Sequence, residues 1–180
     1  MGFFHCFFVR QCPLFIKQIF ALSLPMPFQR KKPTQPLTVD EALPKLENFC
    51  AYRDRCPKEV RTRLTELGIR GAEAEQIFER LREDGFFDEQ RFALAFAGGK
   101  FRMNHWGRMR IRQELRMRDI DPQIIKQALA SIEEEPYLQT LQDLLEKRRQ
   151  HYAGDEHARE KTAAALIRNG FESELVFRYL

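Results

Sequence analysis

The sequence is short of the residues that build covalent or metal-held scaffolds. Four cysteines occur in 180 residues, at positions 6, 12, 50 and 56, and four histidines at 5, 105, 151 and 157. Each cysteine pair has five residues between its members, which is not the C-x-x-C spacing that brings two thiolates to one tetrahedral zinc. The cysteines therefore read as reduced thiols of a cytoplasmic protein, with neither metal nor disulfide. No stretch alternates apolar and polar residues as a half-buried strand does, and no uninterrupted apolar run reaches the roughly 20 residues of a membrane span. The nine glycines build no phosphate-cradling loop. Nucleophile elbow, metal-ligand helix and carboxylate pair in contrasting environments are equally missing. These absences argue against an enzyme and against any cofactor.

Acidic residues are absent from positions 1–28, which hold seven of the sixteen phenylalanines, at 3, 4, 7, 8, 15, 20 and 28. Arg10, Gln11, Pro13, Lys17 and Gln18 interrupt this segment, which fits neither a spanning helix nor a signal peptide. Met26 opens the polar, basic stretch Pro27-Phe28-Gln29-Arg30-Lys31-Lys32-Pro33. The native chain is expected to start there, with residues 1–25 an extension from an earlier start codon. Without Arg10 and Lys17 the net charge falls from +4 to +2. Residues 1–37 as a whole read as a poorly ordered N-terminal extension.

What is present from Thr38 onward is helix after helix. Hydrophobic residues make up 43% of the chain and charged residues 31%, a balance that excludes disorder. Apolar residues recur at spacings of three and four. Start and stop signals divide them: Pro57 at a first helical position, Gly68 and Gly85 at helix ends, Asp88 as a cap, then Trp106-Gly107, Asp121-Pro122, Pro136, Gly154-Asp155 and Asn169-Gly170. Pro44 would delete a backbone bond inside a helix, so the first helix is expected to begin near it.

A repeat lies beneath these signals. Leu64, Leu115 and Leu166 are spaced 51 apart, as are Ile69, Ile120 and Phe171, which follow Gly68, Asp119 and Gly170. Ile124, Ile125 and Leu129 match Leu175, Val176 and Leu180 in the same register. The first unit fits once about three residues are inserted around Arg70-Gly71-Ala72, as the repeat register requires. The predicted fold is all-α, an elongated and gently curved array of three three-helix repeats at 38–86, 87–135 and 136–180, each with its own small core.

Charge is concentrated in the middle repeat. Lys100, Arg102, Arg108, Arg110, Arg112, Arg116 and Arg118 face a single acid, Glu114, which gives +6 between residues 100 and 118. Ile111 and Leu115 turn to the core of a helix there, and Arg108, Arg112 and Arg116, four apart, form a stripe beside them. Arginine forks grip phosphates and carboxylates in a bidentate manner, and Phe101 and Trp106 are either rings on which a base can stack or simply core beneath a solvated helix face. Elsewhere Cys56 reads as an N-cap with Glu59 at the third helical position. Asp88 and Arg91 read as a cap and a surface or inter-repeat ion pair, and Glu133-Glu134-Glu135 as a solvated hinge.

The run Glu83-Asp84-Gly85-Phe86-Phe87-Asp88-Glu89-Gln90-Arg91-Phe92-Ala93, with Ala95-Phe96, Lys100-Phe101-Arg102, Trp106-Gly107 and Arg108-Met109-Arg110-Ile111-Arg112-Gln113-Glu114-Leu115, resembles the RecX family. RecX proteins are bacterial modulators of the RecA recombinase. Leu46, Cys50 to Cys56 and Glu59-Val60 resemble the family's first unit, and Lys161, Leu166, Gly170-Phe171 and Leu175 its last. The resemblance spans about residues 40–180, in register with the repeat. It implies a monomeric regulator that lies in the groove of a filament of RecA on single-stranded DNA, away from membranes. There it would oppose strand exchange, ATP hydrolysis and co-protease activity within DNA repair and the SOS response. On this reading Lys100, Arg102, Arg108, Arg110, Arg112 and Arg116 face the filament and its DNA. Two other classes stay open on the residues alone. One is a stand-alone helical nucleic-acid-binding protein, which would bind tightly without RecA. The other is a helical-repeat adaptor for an acidic protein, which would leave DNA untouched.

Overall fold

A computed structural model describes residues 37–180. The expectations for the N-terminal extension, including the start at Met26, lie outside the described residues. Among those described there are nine α-helices and no strand: α1 Val39–Tyr52, α2 Pro57–Glu66, α3 Gly71–Glu83, α4 Glu89–Asn104, α5 Arg108–Arg116, α6 Pro122–Ala130, α7 Glu134–His151, α8 Ala158–Arg168 and α9 Ser173–Tyr179. The principal helix-to-helix contacts fall within α1–α3, α4–α6 and α7–α9. The protein is thus an all-α tandem of three-helix repeats. No described helix is long and apolar enough to cross a membrane.

Helices α4 and α6 start where a cap side chain satisfies a free N–H group. Asp88 accepts from the Arg91 N–H at 2.9 Å and Asp121 from the Gln123 N–H at 2.7 Å. Helix α1 begins at Val39, upstream of the start expected near Pro44. Thr38 donates to the Glu41 carboxylate through its N–H at 3.1 Å and its hydroxyl at 3.0 Å, which fixes the start early. Pro44 then sits on an exposed face, and the carbonyl it leaves without an intrahelical donor, that of the exposed Asp40, can turn to water. Glu133-Glu134-Glu135 is likewise the beginning of α7 and not a hinge. Glu133 is its N-cap and Glu134 and Glu135 fill its first turn, where the positive end of the helix favours acids.

The period of 51 marks one hydrogen-bonded stop used three times. Gly68, Asp119 and Gly170 take left-handed conformations with φ of 86°, 60° and 96°. The following residue then donates back to the repeat leucine: Ile69 to Leu64 O at 3.1 Å, Ile120 to Leu115 O at 3.3 Å, and Phe171 to Leu166 O at 3.2 Å. All six of these apolar side chains are buried, the hydrophobic contact that accompanies such a stop.

Among the described residues the cores number two, where one per repeat was expected. Ala42, Leu46, Val60, Leu64, Ile77 and Phe78 belong to the core of the first triplet. The second and third triplets share a single core, from Ala97 and Phe101 through Ile111 and Leu115 to Tyr137, Leu166 and Phe171. Backbone proximity fuses them. A Cβ on Gly107 would lie 2.1 Å from the Gly170 carbonyl carbon, so only glycine fits. Across that contact the Gly107 N–H reaches Asn169 O and the Met109 N–H reaches Gly170 O, both at 2.9 Å. The joint between the first and second triplets is thinner. Cys56 is buried in the shared core, Lys58 Nζ donates to Met117 O at 2.9 Å, and Arg91 pairs with Asp54 at 2.8 Å.

Candidate nucleic-acid interface

Helix α5 sends Ile111 and Leu115 wholly into the core. Its first turn contains no acid, and its first and third residues are Arg108 and Arg110, cations at the helix end that least favours them. Capping therefore does not explain the arginines, and each has a different surrounding.

Arg108 is built into the joint with the third triplet. Its side chain is 19% exposed and pairs with Glu134 at 2.8 Å. The guanidinium also donates to Ile132 O at 2.9 Å and lies 4.1 Å from the centre of the Tyr137 ring. Its backbone N–H donates to the Tyr137 hydroxyl at 3.1 Å, and that hydroxyl donates in turn to Glu172 at 2.6 Å. Burial, then the Glu172 carboxylate, push the Tyr137 phenol far above its ordinary value, so it stays protonated as a donor. The expected stripe of three arginines is thus reduced to Arg112 and Arg116.

The other predicted residues are divided among several places. Arg102 is exposed at the end of α4, its guanidinium lying over Gly98. Lys100 lies 4.9 Å from the Trp106 ring centre and lines a groove toward the first triplet, together with Arg118 and Phe96. Arg110 stacks at 3.9 Å on the same tryptophan. Two cations thus hold the Trp106 ring, and Phe101 is buried against Tyr137 with ring centres 5.7 Å apart. Phe101 gives a base nothing to stack on, and the Trp106 face is engaged by the protein's own charges.

Arg112 and Arg116 line two adjoining grooves. One also has Lys126 and Ile125 in its wall, and the other has Arg110, Arg168, Met109 and Ile167. The acid beside them, Glu114, is paired with Arg118. The surface is therefore an arginine face with apolar side chains, Met109 at 46% and Ile167 at 39% exposure, set among the charges. Lys126 and Arg168 were not among the predicted residues. Lys126 is alone on its helix amid uncharged neighbours, and Arg168 reaches α5 only because Gly107 meets Gly170.

Burial pushes the Cys56 and Cys50 thiols up from their ordinary value, which keeps both neutral and unreactive. Cys56 is the N-cap of α2, and its N–H donates to Glu59 at 3.2 Å.

Sequence models of the second and third three-helix domains of RecX match residues 88–129 and 134–180. The chain is 30% identical over 131 residues to regulatory protein RecX of Trichlorobacter lovleyi, covering 69% of this chain and 83% of that one. The RecX of Prosthecochloris aestuarii is 27% identical over 136 residues, covering 76% and 89%. The RecX of Oceanobacillus iheyensis is 28% identical over 131 residues, and the match spans 48% of that longer protein. Among solved structures, RecX from Lactobacillus salivarius superposes with a TM-score of 0.71 at 20% identity, covering 78% of this chain and 93% of that one.

Proposed function

The chain belongs to the RecX family of regulatory proteins, and from that membership we propose that it binds the filament of RecA on single-stranded DNA and restrains it. The observation that supports this most is the pair Arg112 and Arg116, each lining both grooves and joined there by Arg110, Lys126 and Arg168. Guanidinium groups hold phosphate oxygens in bidentate pairs, and Met109 and Ile167 supply apolar contact to bases or to a protein surface. The protein acts by occupancy. Seated along the filament, it excludes the second DNA strand or client protein that must enter, and resists the movement between protomers that ATP turnover requires. No bond is made or broken by its own residues.

Phosphate neutralisation releases counterions, so direct binding to single strands should weaken with salt, with log K falling roughly 0.7 for each contacted phosphate. The test is RecA ATPase on single-stranded DNA with the purified chain titrated in, beside DNA binding without RecA. Inhibition beyond what competition for DNA explains supports the proposal. Strong DNA binding with no effect on RecA would reassign the protein as a stand-alone nucleic-acid binder.

A further inference from the structure

Where the second triplet meets the third, a pocket of about 350 Å³ opens between the end of α4, α5, the end of α7 and α8. Arg110, Arg148 and Arg168 line it with His105, Asn169 and Tyr152, and no acidic side chain does. None of the three guanidinium groups pairs with or hydrogen-bonds to another described residue; Arg110 alone has a ring contact, with Trp106. Three cationic side chains around one pocket with no acid among them favour an oxyanion there, which can fill their donor forks. The pocket is assembled by the fold. His105 takes a left-handed conformation at φ 53° to end α4, and its carbonyl accepts from the Asn169 side chain at 2.6 Å. The Gly107 and Gly170 contact then brings the start of α5 to the end of α8.

We propose that this joint pocket binds a phosphate group. Its size suits a phosphate with its sugar and excludes a duplex. Arg110 and Arg168 also line the α5 groove, so a strand crossing Arg112 and Arg116 continues into it. That source of the phosphate rests on the nucleic-acid-facing reading of α5; a free phosphate compound is the other source. Arg148 lines the pocket without lining either α5 groove, and it is the residue that separates them.

The experiment uses the full chain in two arms. In the first, inorganic phosphate is titrated at constant ionic strength while NMR follows the Asn169 side-chain amide and the His105 and Gly170 backbone amides. These signals shift, and Arg148→Gln weakens the response about three- to tenfold, the loss expected for one solvent-exposed hydrogen-bonding contact. In the second, anisotropy measures binding of oligo-dT across salt concentrations. Arg148→Gln lowers the salt slope by about 0.7 if the strand supplies the phosphate. A phosphate response in the wild type that Arg148→Gln weakens, with an unchanged strand slope, assigns the pocket to a free phosphate compound; a phosphate response that Arg148→Gln leaves unchanged overturns the proposal. No phosphate response, together with no change in strand slope, overturns the proposal even if α5 binds DNA. Loss of strand binding in Arg112→Gln/Arg116→Gln, with the phosphate response intact, shows that the two sites stand or fall separately.

Discussion

Asp119 holds φ at 60° where its two repeat equivalents are Gly68 and Gly170. A side chain in that region is strained, while glycine is not, although glycine also loosens the unfolded chain. Asp119→Gly should therefore raise stability by about 0.5–1 kcal/mol, seen as a later urea midpoint with an unchanged slope. Tyr137 is fully buried and its hydroxyl bridges the Arg108 N–H to Glu172. Tyr137→Phe leaves both groups without that partner and should cost about 1–3 kcal/mol, again by urea unfolding. A loss below a few tenths would mean that water replaces the hydroxyl. The sequence marks Arg108 as one arginine among seven cations, and its partners, Glu134 and Tyr137, lie on α7, which the structure starts at Glu134 and not after residue 135 as the repeat bounds had it, beyond the reach of spacing within one helix.

At the scale of the element, the start of α2 depends on a carboxylate. Burial pushes Glu59 up, but the Cys56 N–H, Arg53 and Arg55 outweigh it and hold its carboxyl below the usual carboxylate range. A lowered folded value stabilises above the unfolded one, near 4.3, and is lost as pH falls through the folded value. Glu59→Gln keeps the capping geometry but loses the charge and should cost about 0.3–1 kcal/mol at pH 7, with the difference from wild type shrinking as pH drops below about 5. A difference constant with pH would contradict the role of the charge. Helix type and order were legible because the apolar spacing, the prolines at first positions and the left-handed stops all agree. The start of α1 was not, because the Thr38 and Glu41 capping box outweighs the loss of one exposed bond at Pro44. The cap at Cys56 was legible, but its burial in the neighbouring repeat explains why a thiol can stand where a hydroxyl would serve.

Across the whole of the described chain the repeat is a sequence property, while the fusion of its second and third members is not. It comes from two glycines 63 positions apart, Gly107 and Gly170, which no periodicity of 51 links. Native-state hydrogen exchange should find α4–α9 opening as one cooperative unit and α1–α3 as another; separate opening of α7–α9 would contradict the shared core. The candidate site was legible as a charged helix, and three of the six named residues, Arg110, Arg112 and Arg116, do line its grooves. Lys126 and Arg168 were hidden because they arrive through packing between helices distant in sequence. The central claim is that the α5 face is what restrains the filament. RecA ATPase on single-stranded DNA, measured with the Arg112→Glu/Arg116→Glu variant against wild type, tests it most directly, with circular dichroism confirming the fold. Both side chains point away from the core, so the variant should fold normally and lose inhibition by at least about tenfold, the loss expected when two charge-assisted contacts are reversed. A folded variant that still suppresses the ATPase as wild type does would contradict the account.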